Sequence, residues 1–173
     1  MSKNIILVRH AKSDWSNPGQ KDFDRTLNQR GLLDAPRMGN ELAKLNLNPT
    51  LIISSPAART KATAEYIAEQ LKYDTDSIQF IEDLYEASSR NVLSAINQLD
   101  NSHDTVLICG HNPTFTHIAE YFTKVDIGNI PTCGMVHIVF ELDDWSLISG
   151  QTGTLKSFIF PKMFFAHREG DDD

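Results

Sequence analysis

Two cysteines, Cys109 and Cys133, are all that the 173 residues contain. They stand neither at CxxC spacing nor beside a Cys/His cluster, which argues against a metal site. So few thiols also exclude a disulfide-built secreted scaffold, and the pair reads as reduced packing residues of a cytoplasmic protein. Long apolar runs are missing as well. No stretch approaches the roughly 20 residues of a membrane span. The opening "MSKNIILVRH" holds only the four aliphatics Ile5 to Val8, too short a core for a signal peptide. Basic stripes are absent: net charge is −7, part of it in a terminal "GDDD" that reads as a solvated tail. Such a chain is a poor partner for nucleic acid, and any anion it handles must meet a local cationic pocket. It also lacks a Gly-rich Walker loop and an Asp pair for magnesium, which argues against a nucleotide-dependent kinase.

What is present has the balance of a globular protein, with 40% hydrophobic and 23% charged residues. Length suits one domain over residues 1–173. Apolar strands are expected at Asn4–Val8, Thr50–Ser55 and Asp104–Gly110, with a shorter one in "SIQFI". Helical spacing links Leu32, Leu33, Met38, Leu42 and Leu45, although Pro36 interrupts that run. A second helix begins near Pro56, a proline suited to a first turn. A third follows the serine caps of "SSRNVLSAINQL", and a fourth starts near Pro113. "MVHIVFEL" and "GTLKSFIF" read as an antiparallel pair at one edge. The alternation predicts an α/β protein, a three-layer α/β/α sandwich whose sheet is mostly parallel with an antiparallel edge.

Ligands of such sheets gather beyond the carboxyl ends of the strands. Those ends here read "VRHAKS", "SSPAART" and "CGHNPT", so Arg9, His10, Arg59 and His111 converge from distant parts of the sequence. Singly, each has an ordinary structural reading, as a satisfied histidine or an ion-paired arginine. Together they suit phosphoryl transfer. Arginine forks bind phosphate oxygens at any working pH, and histidine serves as nucleophile and proton carrier. Helix starts near Ala57 and Pro113 offer further donors to an anion. His117 and His137 read as structural, and Phe158, Phe160, Phe164 and Phe165 as core and C-terminal packing.

"VRHAKS" resembles the RHG signature of the histidine phosphatase (phosphoglycerate mutase-like) superfamily. "SSPAARTKATA" is similar to its second arginine motif, "GHNP" to its second histidine motif and "RTLNQRG" to its LTxxG segment. The resemblance implies that His10 attacks phosphorus to give a phosphohistidine intermediate. It implies that Arg9, Arg59 and His111 hold the phosphoryl oxygens, with no metal or cofactor. Ser13 and Ser16 become candidate hydroxyl donors to phosphate, and Glu86 of "DLYEAS" the candidate proton donor, with Glu82 and Asp83 poorer matches. The chain departs from the signature at Ala11, where the family has glycine, and at Lys12, where it has an acidic residue.

Between "LYEAS" and "VLICGH" there is room for one helix and a strand, whereas the mutase branch carries a long covering insertion there. The compact form resembles the SixA-like phosphohistidine phosphatases. That implies a phosphorylated protein as substrate, such as a histidine phosphotransfer domain. A broad phosphomonoesterase of small molecules and a non-catalytic phosphate- or phosphoprotein-binding module are the alternatives.

Overall fold

Ile5–Val8 is apolar without a break because strand β1 (Lys3–Arg9) is covered on both faces. Side chains alternate across it. Ile5 and Leu7 pack with one set of helices, Ile6 and Val8 with the other. The structure, a computed structural model, describes residues 2–166; the "GDDD" tail lies outside them.

Five more strands follow: β2 (Leu51–Ser54), β3 (Gln79–Phe80), β4 (Thr105–Gly110), β5 (Met135–Phe140) and β6 (Gly153–Ile159). They form one sheet in the order β3-β2-β4-β1-β5-β6. The first four strands run parallel, and β5 and β6 add the antiparallel edge. Helices α1 (Gln29–Ala43) and α2 (Ala58–Gln70) cover one face. Helices α3 (Ser89–Asn97) and α4 (Thr114–Thr123) cover the other. This is the three-layer α/β arrangement expected from the alternation of elements.

Local signals explain most boundaries. Asn28 caps α1 by accepting from the Gly31 N–H at 2.9 Å. Ser88 and Asn91 form a capping box at the start of α3. Three expectations need correction. The stripe on α1 is not leucine-rich: Leu32, Leu33 and Leu45 are exposed, and the buried face carries Gly31, Ala35, Met38, Gly39 and Leu42. Small residues there let α1 approach α2 closely, so leucines would stand the helices apart. Pro56 precedes the Ala57 cap and so lies outside the first turn of α2. Phe164 is exposed rather than packed, while Arg37 stacks on Phe165 at 5.0 Å. Both cysteines are buried free thiols, His117 is exposed, and His137 Nε2 lies 2.8 Å from Asn4 Oδ1.

Gly31 ties the fold to the loop beyond β1. A Cβ at this position would collide with the Lys12 carbonyl oxygen, which also accepts from the Asn28 N–H at 3.0 Å. Gly31→Ala is therefore expected to destabilise the protein by about 1–3 kcal/mol, read as a lower urea midpoint with an unchanged slope. A midpoint equal to that of the parent protein would refute the close approach.

Candidate active site

β1 ends at Arg9 and β4 at Gly110, and parallel pairing sets these two residues opposite each other. The next residue on each strand is a histidine. The His10 N–H donates to Gly110 O at 3.1 Å, and the two imidazole centroids are 5.4 Å apart. The Cys133 N–H donates to His10 O at 3.0 Å, and the Arg9 N–H to Gly134 O at 3.1 Å. The backbone around His10 is thus held from two sides.

The His10 ring is oriented by its own loop. Nδ1 lies 2.7 Å from the Ala11 carbonyl, which can only accept, so Nδ1 carries the proton and Nε2 keeps its lone pair. Burial pushes the His10 pKa down to about 3; the Ala11 carbonyl works the other way, and the charges of His111, Arg59 and Arg9 lower it further. The imidazole is neutral at physiological pH. Ala11 replaces the glycine of the common signature without cost here: it is fully buried and its N–H donates to Thr63 Oγ1 at 3.0 Å.

His111 follows the same logic. Nδ1 faces an Arg59 Nη2 donor at 3.4 Å, so Nε2 carries the proton to Ser55 Oγ at 2.8 Å. Burial first, then the Arg59 charge, bring its pKa to about 4, with Asp22 opposing. Arg59 itself is buried at the start of α2, and its Nε has no hydrogen-bond partner. Arg9 donates from Nη1 to Ile130 O at 2.9 Å.

All four residues line one cleft of about 540 Å³, together with Ser13 and Glu86. Ser13 is buried and accepts from Arg25. Glu86 is exposed, with φ of 52°, in the left-handed region. Ser16 is not brought to the cleft: it is exposed in a bend, its N–H turned to Asp14 Oδ1 at 2.8 Å. Near the starts of α2 and α4, Arg59 and Asn112 line the cleft.

A second cluster on the cleft wall escaped the sequence reading. Asp22 accepts from Arg25 Nη2 at 2.8 Å, Arg59 Nη2 at 3.1 Å and the Tyr85 hydroxyl at 2.6 Å. Its backbone carbonyl also accepts from Arg59 Nη1 at 2.8 Å. Burial alone would raise the Asp22 pKa, but the Tyr85, Arg25 and Arg59 donors outweigh it and hold the carboxyl well below its ordinary range. Burial and the bond to Asp22 push Tyr85 up to about 12. At neutral pH this pair is a carboxylate and a phenol. The available signal was the charge density of "KDFDR" between strand and helix, and in "LYEAS" the tyrosine beside the chosen glutamate. Arg25 also stacks on Trp15, 3.6 Å from the ring centroid, at the rim.

Comparison with known proteins agrees with this geometry. Residues 5–89 match the model of the histidine phosphatase superfamily, branch 1. An uncharacterized chloroplastic protein of Arabidopsis thaliana is 29% identical over 143 residues, which is 77% of this chain and 64% of that protein's length. The crystal structure of a candidate phosphohistidine phosphatase SixA from Agrobacterium tumefaciens superposes with a TM-score of 0.78 at 30% identity, covering 92% of this chain and 98% of that one. The protein histidine phosphatase SixA in complex with tungstate shares the fold at a TM-score of 0.80 and 18% identity, over 94% and 99% of the two chains. With the paired histidines, the convergent arginines and a near-complete superposition at this identity, the chain belongs to the histidine phosphatase superfamily, in its SixA-like branch.

Proposed function

We propose that the chain is a single-domain, metal-independent phosphatase that removes phosphate from phosphohistidine on a protein, through its own phosphohistidine intermediate. The observation that carries the chemistry is the His10 ring. It is neutral, its Nδ1–H is locked to the Ala11 carbonyl, and Nε2 has its lone pair in a cleft shared with three cationic or donor groups. In this reading Nε2 attacks phosphorus while Arg9 and Arg59 neutralise the charge spreading over the phosphoryl oxygens. The neutral His111 contributes a hydrogen bond once a phosphoryl oxygen replaces Ser55 Oγ as acceptor of its Nε2–H. Water then attacks the phosphorylated His10 and releases phosphate, which restores the free imidazole.

Two features favour a protein-borne phosphohistidine. The segment between Glu86 and β4 contains only α3 and a turn, which leaves the cleft open to a phosphate displayed on a large partner. The carboxyl groups lining the cleft are Asp22, which is ion-paired and ionised, and Glu86, which is exposed. An alkoxide leaving group demands a poised acid, whereas a phosphorylated imidazole brings its own proton. A histidine phosphotransfer domain is a fitting partner. Glu86 at the mouth is the feature that would serve the second reading, a phosphomonoesterase of small molecules.

Three measurements test this. Brief incubation with radiolabelled substrate should leave an acid-labile label on the parent protein and none on His10→Ala, whose turnover should fall at least about a thousandfold. An unlabelled parent protein under turnover would overturn the covalent mechanism, and a parent protein that binds phosphate without turnover would reduce the site to an anion-binding module. Phosphohistidine-bearing protein should be dephosphorylated faster than sugar phosphates; the reverse order would favour the small-molecule reading. The pH profile follows from the two histidines. A lowered pKa keeps the competent neutral form at lower pH, so it is lost only near 3 to 4. Once the substrate's own ionisation is divided out, kcat/KM should stay level from about pH 8 to about pH 5. A histidine of ordinary pKa would lose on the order of thirtyfold over that span.

A further inference from the structure

Asp22 poses a problem for a phosphate site. A carboxylate on the wall weakens the binding of any anion, yet three donors converge on this one. It is not forced there by packing: its side chain is 47% exposed, on the single turn Asp22–Asp24. Burial separates the two ends of the cleft: His10 (9% exposed) and Arg59 (6% exposed) lie at its buried floor, and Asp22 on its exposed side. Arg59 Nη2 then spans His111 Nδ1 on one side and the Asp22 carboxylate on the other. Tyr85, edge-on to His111 at 5.7 Å, donates to the same carboxylate from the outer side. Phosphoryl transfer runs in line, with the nucleophile and the leaving group on opposite sides of phosphorus. A nucleophile at the floor directs the leaving group to the mouth, where Asp22 stands.

We infer that Asp22 sets leaving-group specificity, favouring a protonated imidazole nitrogen over an alkoxide or a leaving group bearing a second anion. This deepens the phosphohistidine reading and rests on it. As the bond from His10 Nε2 to phosphorus forms, the bond from phosphorus to the substrate ring nitrogen breaks, and its electron pair stays on that nitrogen. The proton on the other ring nitrogen is held by the Asp22 carboxylate throughout, so the ring departs as neutral imidazole and no proton is drawn from the enzyme. With a phosphomonoester the departing oxygen develops negative charge next to Asp22, and the same carboxylate opposes the reaction. Tyr85 and Arg25 orient the carboxylate by occupying its remaining lone pairs.

The test is a ratio of specificities. Parent protein, Asp22→Asn, Asp22→Glu and Tyr85→Phe are compared by kcat/KM on a chemically phosphorylated histidine peptide and on p-nitrophenyl phosphate. Asp22→Asn should lower the preference for the histidine peptide by up to about fivefold, the scale of one partly exposed charge contact. Asp22→Glu, which keeps the charge, should restore most of it. Tyr85→Phe, which leaves the carboxylate and removes one donor, should keep or increase it. A merely structural Asp22 would lower both substrates together and leave the ratio constant; that outcome overturns the inference. Loss of the preference in Tyr85→Phe would overturn it too, even if the Asp22 variants failed to fold. A parent protein inactive on the histidine peptide would instead bring down the functional reading on which the inference stands.

Discussion

The parallel pairing of β1 with β4 is the constraint from which the rest of the site is built. Register places Arg9 beside Gly110, and each strand then delivers a histidine at its next residue. A shift of one residue in that pairing would turn every side chain of the strand to the other face and exchange Ile5 and Leu7 with Ile6 and Val8 between two cores packed for different shapes. The two-sided packing that stabilises the strand therefore also helps to fix the 5.4 Å separation of the imidazoles. β2, on the far side of β4, adds Arg59 through the first turn of α2.

Electrostatics at this edge runs against the charge of the chain as a whole. The protein is acidic, at −7, but Arg9, Lys12, Arg25 and Arg59 share one cleft. Burial keeps both histidines neutral and so avoids adding to that concentration of positive charge. Asp22 balances part of it from the wall. The buried end of the cleft thus holds two neutral imidazoles, while its charged groups are the surrounding arginines, Lys12 and the half-exposed Asp22.

Much of this could be read directly from the residues. The apolar strands were legible because burial on both faces leaves unbroken runs such as "IILV", and the tips because polar residues, glycine or proline end each run abruptly in "RHAKS", "SSPAART" and "GHNPT". Arg9, His10, Arg59 and His111 do line one cleft. Side-chain partners within loops were not legible. Ser13 and Ser16 look alike in the sequence, yet a bridge to Leu27 draws Ser13 into the cleft while a bend turns Ser16 to solvent. Asp22 and Tyr85 are 63 residues apart, and only the folded chain shows that they share a hydrogen bond. The α1 stripe misled for a related reason: helix-to-helix distance is a tertiary property, and it favoured glycine and alanine over the exposed leucines.

The backbone clamp on His10 has a broader consequence. Because β4 and the turn at Pro131–Gly134 grip that residue from both sides, the proposed nucleophile would rest on a pedestal that bond making and breaking need not disturb. The wall bearing Trp15, Asp22 and Arg25 belongs to the loop that follows His10, held together by Arg25 on Ser13 and Trp15 and tied to α2 through Arg59. On the proposed function, reactivity and discrimination would then sit in different stretches of chain, and exchanging the loop would change clientele while leaving the chemistry at His10 in place.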